Sequence, residues 1–413
     1  MFKSGYKLFV YDKFGKRLFD YDEKNNTFNC IKYYKYYLSL DVLVLRAGLH
    51  SFTRDIATLT EGKINAYDFM TCSSIAHYYA SMHGAYDEVY EVTGNLRAYL
   101  SKAVCGGRVY SNENFTKVEV VEPTAYLDIV SLYPSAMERL SREYGFITGP
   151  CVYFEGPNTP PCSYAIMTVE IIKINKHQQM PFVSIAGGDN IVYTNSATNQ
   201  VVYIDTITLE DYIKFHHIEY KVLHGVYWTG NFNKNIGNII TTLTNERNKY
   251  KQLKNESMST IVKLIMNSIY GKTITKMSNT AIRYVEDFNY IVKNFDNITS
   301  WYDKGYNQMR VKMNKADDSY NMCHIGTSIL SMSKRIMNEI MDVCNEQKIN
   351  CYYQDTDSIH LEASKINLSD TIRLLALTDV KVPALMRDLL CSIVSQVLED
   401  MSRHVAIDQL LEV

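Results

Sequence analysis

The stretch Tyr353-Gln354-Asp355-Thr356-Asp357-Ser358 decides the fold of this 413-residue chain. Residues that favour β structure stand on both sides of it, at 350–353 and 358–361, which predicts an antiparallel hairpin with two aspartates at its turn. Carboxylates this close repel each other and raise each other's pKa, a cost that a divalent cation relieves. Hard oxygen ligands with room for water suit Mg²⁺. The alternative is an ordinary solvated turn, because Asp and Thr are common in turns.

A second carboxylate, Asp128, ends another β-prone run and precedes a helix whose first turn contains Pro134. The backbone N–H groups of Ser131, Leu132 and Tyr133 would then lie at a helix N-terminus, which is a natural seat for a phosphate. An acidic metal ligand beside a phosphate seat is what nucleotide chemistry requires. The simpler interpretation is a strand-end aspartate that caps the helix.

A third stretch, Lys263-Leu264-Ile265-Met266-Asn267-Ser268-Ile269-Tyr270-Gly271, predicts a helix. Lys263, Asn267 and Tyr270 share one face of that helix because they are spaced i, i+4, i+7. The opposite face carries the apolar stripe Ile261, Leu264, Ile265 and Ile269.

The preceding helix, predicted over about residues 234–254, presents Arg247, Lys251 and Lys254 at the same i, i+4, i+7 spacing. Two helices with cationic rows, joined by a short link, would be able to hold a triphosphate between them. The alternative for Arg247 and Lys254 is a solvated charged face.

Composition limits the class of protein. The chain is 46% hydrophobic with a net charge of −2, and its 19 Gly, 8 Pro and ordinary charged fraction of 21% exclude collagen-like, disordered and coiled-coil classes. Its length predicts two or three domains. It has no apolar run long enough to span a bilayer and no signal-peptide core, so we expect a soluble, intracellular protein without a membrane partner. The nine cysteines form no CxxC pair, which supports neither a zinc ribbon nor a disulfide framework.

The remaining secondary structure follows from hydrophobic period and breaker residues. We predict further helices at about 33–50 and 328–344 and beyond 365, strands at 108–110, 117–121, 125–129, 191–193, 201–203 and 220–226, and a proline-rich loop at 149–162.

The three stretches, in this order, resemble motifs A, B and C of family B DNA polymerases. The matching patterns are DxxSLYPS at 128–135, KxxxNSxYG at 263–271 and YxDTDS at 353–358. The resemblance implies an α+β right-hand polymerase fold with an antiparallel palm sheet, helical fingers and a reduced thumb. It implies template-directed addition of deoxynucleotides to a primer 3′-OH by two-metal-ion transfer. The implied partners are a DNA template-primer, dNTPs and two Mg²⁺ ions, for which Mn²⁺ substitutes.

The resemblance also implies roles for individual residues. Asp128 and Asp357 would bridge the metal ions, Ile129 would add its backbone carbonyl, and Asp355 would be a secondary acid. Lys263 would be catalytic by stabilising charge on the triphosphate. Tyr133 would exclude a 2′-OH. The implied nucleotide-binding set is Ser131, Leu132, Tyr133, Arg247, Lys251, Lys263, Asn267 and Tyr270.

Cys105-Gly106-Gly107-Arg108 resembles the YxGG element of the same family. Its glycines would let the backbone approach template phosphates, and Arg108 would add positive charge there. The implied DNA-binding set is Gly106, Gly107, Arg108, Gly271, Lys272, Tyr353, Thr356 and Ser358.

Tyr37 and Asp41 resemble the third exonuclease motif of the family. The first two exonuclease motifs are not found upstream, and no Lys-x-Tyr of the kind that holds a primer terminus follows Leu361. We therefore expect a chain truncated at its exonuclease end, without proofreading. Lys272 and the short YxGG element are most similar to the protein-primed subgroup of viruses and linear plasmids, which implies a terminal protein primer. A viral protein of this kind would act in the host cytoplasm or nucleus.

The expected organisation has five parts. They are an exonuclease remnant with linker helices at 1–100, palm with an inserted β region at 101–231, fingers at 232–275, palm with the catalytic hairpin at 276–365, and a helical C-terminal part or reduced thumb at 366–413. Two alternatives stay open, a degenerate non-catalytic DNA-binding remnant and a polymerase that copies or makes RNA. Retention of the three aspartates and Lys263 argues against the first, and Tyr133 against the second.

Overall fold

The computed structural model describes residues 29–187, 190–275, 280–314 and 321–365. The predicted helices beyond residue 365 lie outside the described residues. Contacts divide the chain into two units. Of the described residues, one unit contains those up to Thr71 together with Arg247–Lys263, and the other contains those in Cys72–Glu246 and from Leu264 to Lys365.

The elements are numbered in chain order. The helices are α1 (Cys30–Leu59), α2 (Cys72–Met82), α3 (Gly94–Leu100), α4 (Leu132–Glu143), α5 (Thr206–His216), α6 (Asn235–Gln252), α7 (Glu256–Thr273), α8 (Phe288–Lys293) and α9 (Cys323–Glu346). The strands are β1 (Val109–Ser111), β2 (Thr124–Asp128), β3 (Phe146–Ile147), β4 (Val152–Glu155), β5 (Tyr164–Ile174), β6 (Ser184–Gly187), β7 (Asn190–Tyr193), β8 (Gln200–Asp205), β9 (Ile218–Trp228), β10 (Phe232–Asn233), β11 (Thr280–Val285), β12 (Ile298–Asp303), β13 (Met309–Asn314), β14 (Cys351–Asp355) and β15 (Ser358–Glu362).

An antiparallel sheet of four strands, in the order β1-β14-β15-β2, carries the three predicted aspartates. The hairpin predicted at 350–361 is confirmed as β14 and β15. Side chains alternate along these strands, so Leu127, Gln354 and Ile359 point to a covered face, whereas Tyr126 and Asp128 point to an open one.

Helix α9 is linked to this sheet through Arg108, whose guanidinium donates to Gln354 on β14 and to Asn338 on α9. It was predicted over 328–344 and runs somewhat further, with nearly every residue up to Cys344 buried. Helices α4 and α5 pack on it. The sheet and these three helices form the core that supports the aspartates.

A second four-stranded sheet, in the order β4-β9-β5-β8, lies in the sequence between Asp128 and Lys263. Its core is formed by residues such as Val169, Ile171 and Val222. The strands predicted at 191–193, 201–203 and 220–226 are confirmed, but the predicted loop at 149–162 contains β4.

Two other local predictions were wrong. No strand forms at 117–121, where Lys117 takes a positive φ of 62° and breaks the extended chain after a 3₁₀ turn. Helix α5 was not predicted; its N-cap residue, Asp205, accepts a hydrogen bond from the N–H of Thr208 at 2.9 Å.

A small three-stranded sheet, β11-β13-β12, lies within the region predicted as palm. It has its own cluster of buried residues, Ile291, Val311 and Met313. None of the described helices is long and apolar enough to cross a membrane.

In the unit that contains Arg247–Lys263, α1 lies against the start of α7. The Ser257 hydroxyl donates a hydrogen bond of 2.6 Å to the buried carboxylate of Asp55. Along α7 as a whole, Ile261, Ile265 and Ile269 are buried as predicted, but Leu264 is 44% exposed, so the predicted stripe was wrong at that residue.

Candidate active site

The turn between β14 and β15 is held by hydrogen bonds from its own residues. Thr356 takes a left-handed φ of 54°, and its N–H donates to the carbonyl oxygen of Arg108 at 2.9 Å. Its hydroxyl donates to a carboxylate oxygen of Asp355 at 3.2 Å. Ser358 is buried, and its hydroxyl donates to the Asp355 carbonyl at 3.2 Å. The DNA contact predicted for Ser358 is therefore contradicted, because its side chain is used inside the turn.

Strand pairing fixes how the aspartates are arranged. Ser358 is in register with Asp355 on one side and with Asp128 on the other, so the three residues form one row on the same face. With about 4.8 Å between strands, the Cα atoms of Asp355 and Asp128 are roughly 10 Å apart. The N–H of Ile129 donates to the carbonyl of Asp357 at 2.8 Å. The structure thus joins the Asp128 segment directly to Asp357 and leaves Asp355 further away from Asp128.

The donor set suits a hard divalent cation. Asp128 and Asp355 are exposed, and within the described part of the chain no cation forms an ion pair with either. The described part of the chain contains no cluster of three or more acidic, His or Cys side chains close enough to hold a metal by themselves. Mg²⁺ needs no such cluster, because it keeps several waters and binds one or two carboxylates together with substrate phosphates. The carboxylates of Asp128 and of the turn between β14 and β15 therefore suit a divalent cation that a nucleotide helps to bind.

The segment after Asp128 turns sharply into α4. Ser131 takes a left-handed φ of 56° and precedes the first helical residue, Leu132, which is buried. The hydroxyl of Ser135 donates to the carbonyl of Val130 at 3.2 Å and fixes the turn. The predicted helix start is confirmed, with Pro134 in its first turn.

Tyr133 on α4 stacks on Tyr270 on α7, with ring centroids 4.2 Å apart and an interplanar angle of 25°. Burial raises the pKa of the Tyr133 hydroxyl, and the neighbouring Tyr270 and Asp357 raise it further. Residues that lie far apart in the sequence, in two of the three predicted motifs, therefore meet beside a carboxylate of the third.

Three cations gather on α6 and α7. Partial burial lowers the pKa of Lys251, and the positive charges of Arg247 and Lys263 lower it further. Lys251 and Lys263 are exposed. Lys254 does not extend the row on α6 as predicted, because the helix ends at Gln252. Like charges held this close together favour a polyanion.

The segment Gly106-Gly107-Arg108 packs against the turn between β14 and β15. A Cβ atom added to Gly107 would lie 2.6 Å from Cγ2 of Thr356, so the turn itself requires glycine there. The side chain of Arg108 is 1% exposed and donates to Gln354 at 2.7 Å and to Asn338 at 2.8 Å. The template contact predicted for the charge of Arg108 was therefore wrong, because its guanidinium faces the protein interior.

The other predicted DNA contacts remain predictions. Gly106 is exposed, and a Cβ on Gly271 would meet nothing closer than Ser73 Oγ at 3.7 Å. Lys272 is half-buried near His77, whose pKa is lowered by burial and by that positive charge. Tyr353 lies on the open face of the sheet.

The two residues of the exonuclease-like pattern lie on α1. Tyr37 and Asp41 are both exposed and are one helical turn apart.

Sequence reasoning missed the polar residues beneath the sheet. Gln354 alternates with Asp355 along β14 and so points inward, where Arg108 meets it. The only local signal was that alternation, since Asn338 lies far away in the sequence.

The fold is similar to the right-hand fold of Phi29 DNA polymerase. The structure of that polymerase complexed with primer-template DNA matches with a TM-score of 0.56 and 17% sequence identity, over 73% of this chain and 49% of the other. Its complex with primer-template DNA and incoming nucleotides gives a TM-score of 0.54 at 16% identity, over 73% and 50% of the two chains.

The family model of type B DNA polymerases, organellar and viral, matches residues 5–365, so the chain belongs to that family. A DNA polymerase of Kluyveromyces lactis is 25% identical over 286 residues, which is 65% of this chain and 26% of that relative. The chain therefore spans about a quarter of that relative and about half of Phi29 DNA polymerase.

Proposed function

We propose that this chain synthesises DNA on a template, adding deoxynucleotides to a primer 3′-OH. The observation that carries the proposal is the joining of the Asp128 segment to the Asp357 turn, beside the stacked pair of Tyr133 and Tyr270. Family membership supports it, as does the capture of Phi29 DNA polymerase with primer-template DNA and incoming nucleotides. The partners that we propose are template-primer DNA and dNTPs.

Asp128 and Asp357 are the proposed ligands of two Mg²⁺ ions, with the carbonyl of Ile129 as a third donor and Asp355 as an accessory acid. Bound Mg²⁺ would lower the pKa of the primer hydroxyl and neutralise the leaving pyrophosphate. The protein's part is to hold the carboxylates rigidly at the end of paired strands, which costs no reorganisation when charge develops.

Arg247, Lys251 and Lys263 are proposed to bind the triphosphate. Their mutual repulsion, visible in the lowered pKa of Lys251, is relieved when a polyanion binds. Ser131 and Leu132, at the start of α4, are proposed to add backbone N–H groups. Asn267 and Tyr270 are proposed to face the nascent base pair.

A primer-extension assay with Mg²⁺ on a primed DNA template tests the proposal. Extension with dNTPs supports it, and no extension would support the non-catalytic remnant. Parallel reactions with ribonucleotides or an RNA template test the RNA alternative.

Sugar selection gives a specific prediction. Replacing Tyr133 by Ala should raise ribonucleotide use relative to dNTP use by roughly ten- to hundredfold, because discrimination rests on a steric clash that the ring supplies. Tyr133→Phe keeps the ring and should keep the discrimination. The measurement is kcat/KM for each nucleotide, and unchanged discrimination in Tyr133→Ala would show that the ring does not contact the sugar.

Proofreading gives a second prediction. The family's exonuclease needs a set of carboxylates around two metal ions, and the sequence supplies Asp41 without its partner motifs. Labelled single-stranded DNA incubated with the protein and Mg²⁺, without dNTPs, should therefore stay intact. Degradation that disappears in Asp41→Ala would contradict this.

Priming by a terminal protein is proposed as well. The sheet β4-β9-β5-β8 lies between the motifs of Asp128 and Lys263, where the protein-primed subgroup carries its extra region. The test is transfer of labelled dNMP to a protein hydroxyl in place of a DNA primer.

A further inference from the structure

We propose that Arg108 is a positioning residue that fixes the catalytic turn from below and ties it to α9 and α5. The proposal rests on the proposed function, because the turn that Arg108 holds is the proposed metal site. It also replaces the DNA contact expected for this residue from the sequence.

Arg108 forms two hydrogen bonds with the turn between β14 and β15. Its carbonyl oxygen accepts the N–H of Thr356 at 2.9 Å, and its Nε donates to Oε1 of Gln354 at 2.7 Å. Gln354 precedes Asp355, and Thr356 separates the two aspartates. Arg108 therefore contacts the chain on both sides of Asp355, in addition to the strand pairing that sets the spacing of the aspartates.

The same guanidinium reaches away from the turn. Nη2 donates to Oδ1 of Asn338 on α9 at 2.8 Å, and Nη1 donates to the carbonyl of Pro181 at 3.3 Å. The Asn338 amide then donates to Asp211 on α5 at 2.8 Å, and Asp211 accepts from Nε of Arg335 at 2.6 Å. A continuous line of buried hydrogen bonds thus runs from the aspartates to the helix beside the second sheet.

Burying the positive charge of Arg108 in the protein interior costs free energy. Burial lowers its pKa to about 10, so it remains charged at neutral pH. It lies over the rings of Phe182 and Tyr193, at 4.9 and 5.4 Å from their centroids, and within the described part of the chain it forms no ion pair with a carboxylate. A buried charge is weak support for stability, since an apolar residue of similar volume is often tolerated. The planar guanidinium group of Arg108, with its several N–H donors, is suited instead to orienting several acceptors at once.

The test compares Arg108→Met and Arg108→Lys with the wild-type protein. Mn²⁺ binding is measured by electron paramagnetic resonance, with a dideoxy-terminated primer-template and the matching dNTP present, so that no bond can form. Both variants should bind Mn²⁺ roughly 10- to 100-fold more weakly, the usual cost of losing a group that orients a metal ligand. Arg108→Lys should not restore the Mn²⁺ affinity, because one ammonium group cannot bind Gln354 and Asn338 together.

Template-primer affinity without metal separates this role from DNA contact. The proposal predicts a Kd within about twofold of wild type and an unchanged salt dependence. Removing a lysine or arginine that contacts a phosphate would instead weaken DNA binding and reduce the slope of its salt dependence by about one. That result would overturn the proposal.

Arg139→Met is the matched control. Arg139 also donates to α9, through Glu339 at 2.9 Å, but does not touch the turn. Arg139→Met should lower the melting temperature of the protein without changing its Mn²⁺ affinity. Equal losses of Mn²⁺ affinity in Arg108→Met and Arg139→Met would show that Arg108 is only a structural residue, and this would overturn the proposal. If Arg108→Met does not fold, Gln354→Met removes the link to the turn alone and carries the same expectation.

The outcomes distinguish this proposal from the proposed function. Wild-type protein that binds Mn²⁺ tightly but extends no primer would contradict the proposed function and leave the positioning role standing. Wild-type extension with unchanged Mn²⁺ affinity in the Arg108 variants would contradict the positioning role alone. Wild-type protein that binds no Mn²⁺ would overturn both.

Discussion

Asp128→Asn and Asp357→Asn should each reduce primer extension with Mg²⁺ by about a thousandfold or more. A metal ion contributes several kcal/mol of transition-state charge stabilisation, and each 1.4 kcal/mol is about tenfold in rate. An amide keeps the size of the side chain but supplies no anionic ligand. Asp355→Asn should cost only about tenfold, because pairing places Asp355 two strands away from Asp128. The measurement is steady-state kcat for single-nucleotide addition.

Asp303→Asn is the matched control for these variants. Asp303 also ends a strand next to a turn, where its carboxylate accepts the N–H of Gly305 at 2.7 Å, a bond that an amide oxygen can also accept. It should extend primers like the wild type. Near-normal kcat in Asp128→Asn or Asp357→Asn, with Mg²⁺, would refute the site.

The hairpin of β14 and β15 could be predicted from sequence because its information is local. The β-prone residues at 350–353 and 358–361 indicate the strands, and Asp355-Thr356-Asp357 marks the turn. Pairing of the hairpin with the strand that ends at Asp128 is not local, and the prediction came from the order of the motifs rather than from residue patterns.

Arg108 could not be predicted, because what buries it is distant in the sequence. Its acceptors Gln354 and Asn338 are 246 and 230 residues away. Arginine is mostly exposed in proteins, so an isolated Gly-Gly-Arg indicates a surface charge. Only the assembled sheet and α9 turn that charge inward.

Helix ends and caps account for two further errors. Helical spacing relates Arg247, Lys251 and Lys254 only while the helix continues, and α6 stops at Gln252. For α5, the β-branched residues before and after Asp205 hid a capped helix start, which needed the Asp205 to Thr208 hydrogen bond to be recognised.

Lys263→Ala should reduce kcat/KM for dNTPs by about 10²- to 10³-fold, the usual cost of removing a group that stabilises charge in the transition state. Lys263→Arg should recover part of the loss, because it restores the charge with different geometry. The same change removes one of the two positive neighbours that depress the pKa of Lys251, so that pKa should rise. NMR titration of the Lys251 ammonium measures this without any turnover.

Lys249→Ala is the control, because Lys249 is an exposed lysine on the same helix as Lys251 and lies over the ring of Tyr250 at 5.7 Å. It should leave kcat/KM within about twofold, as expected for a surface charge away from the substrate. If Lys249→Ala and Lys263→Ala lost activity equally, the effect would be a general loss of positive charge. If Lys263→Ala raised the pKa of Lys251 but left kcat/KM unchanged, the cations would lie together without binding the triphosphate, and the role proposed for α6 and α7 would be wrong.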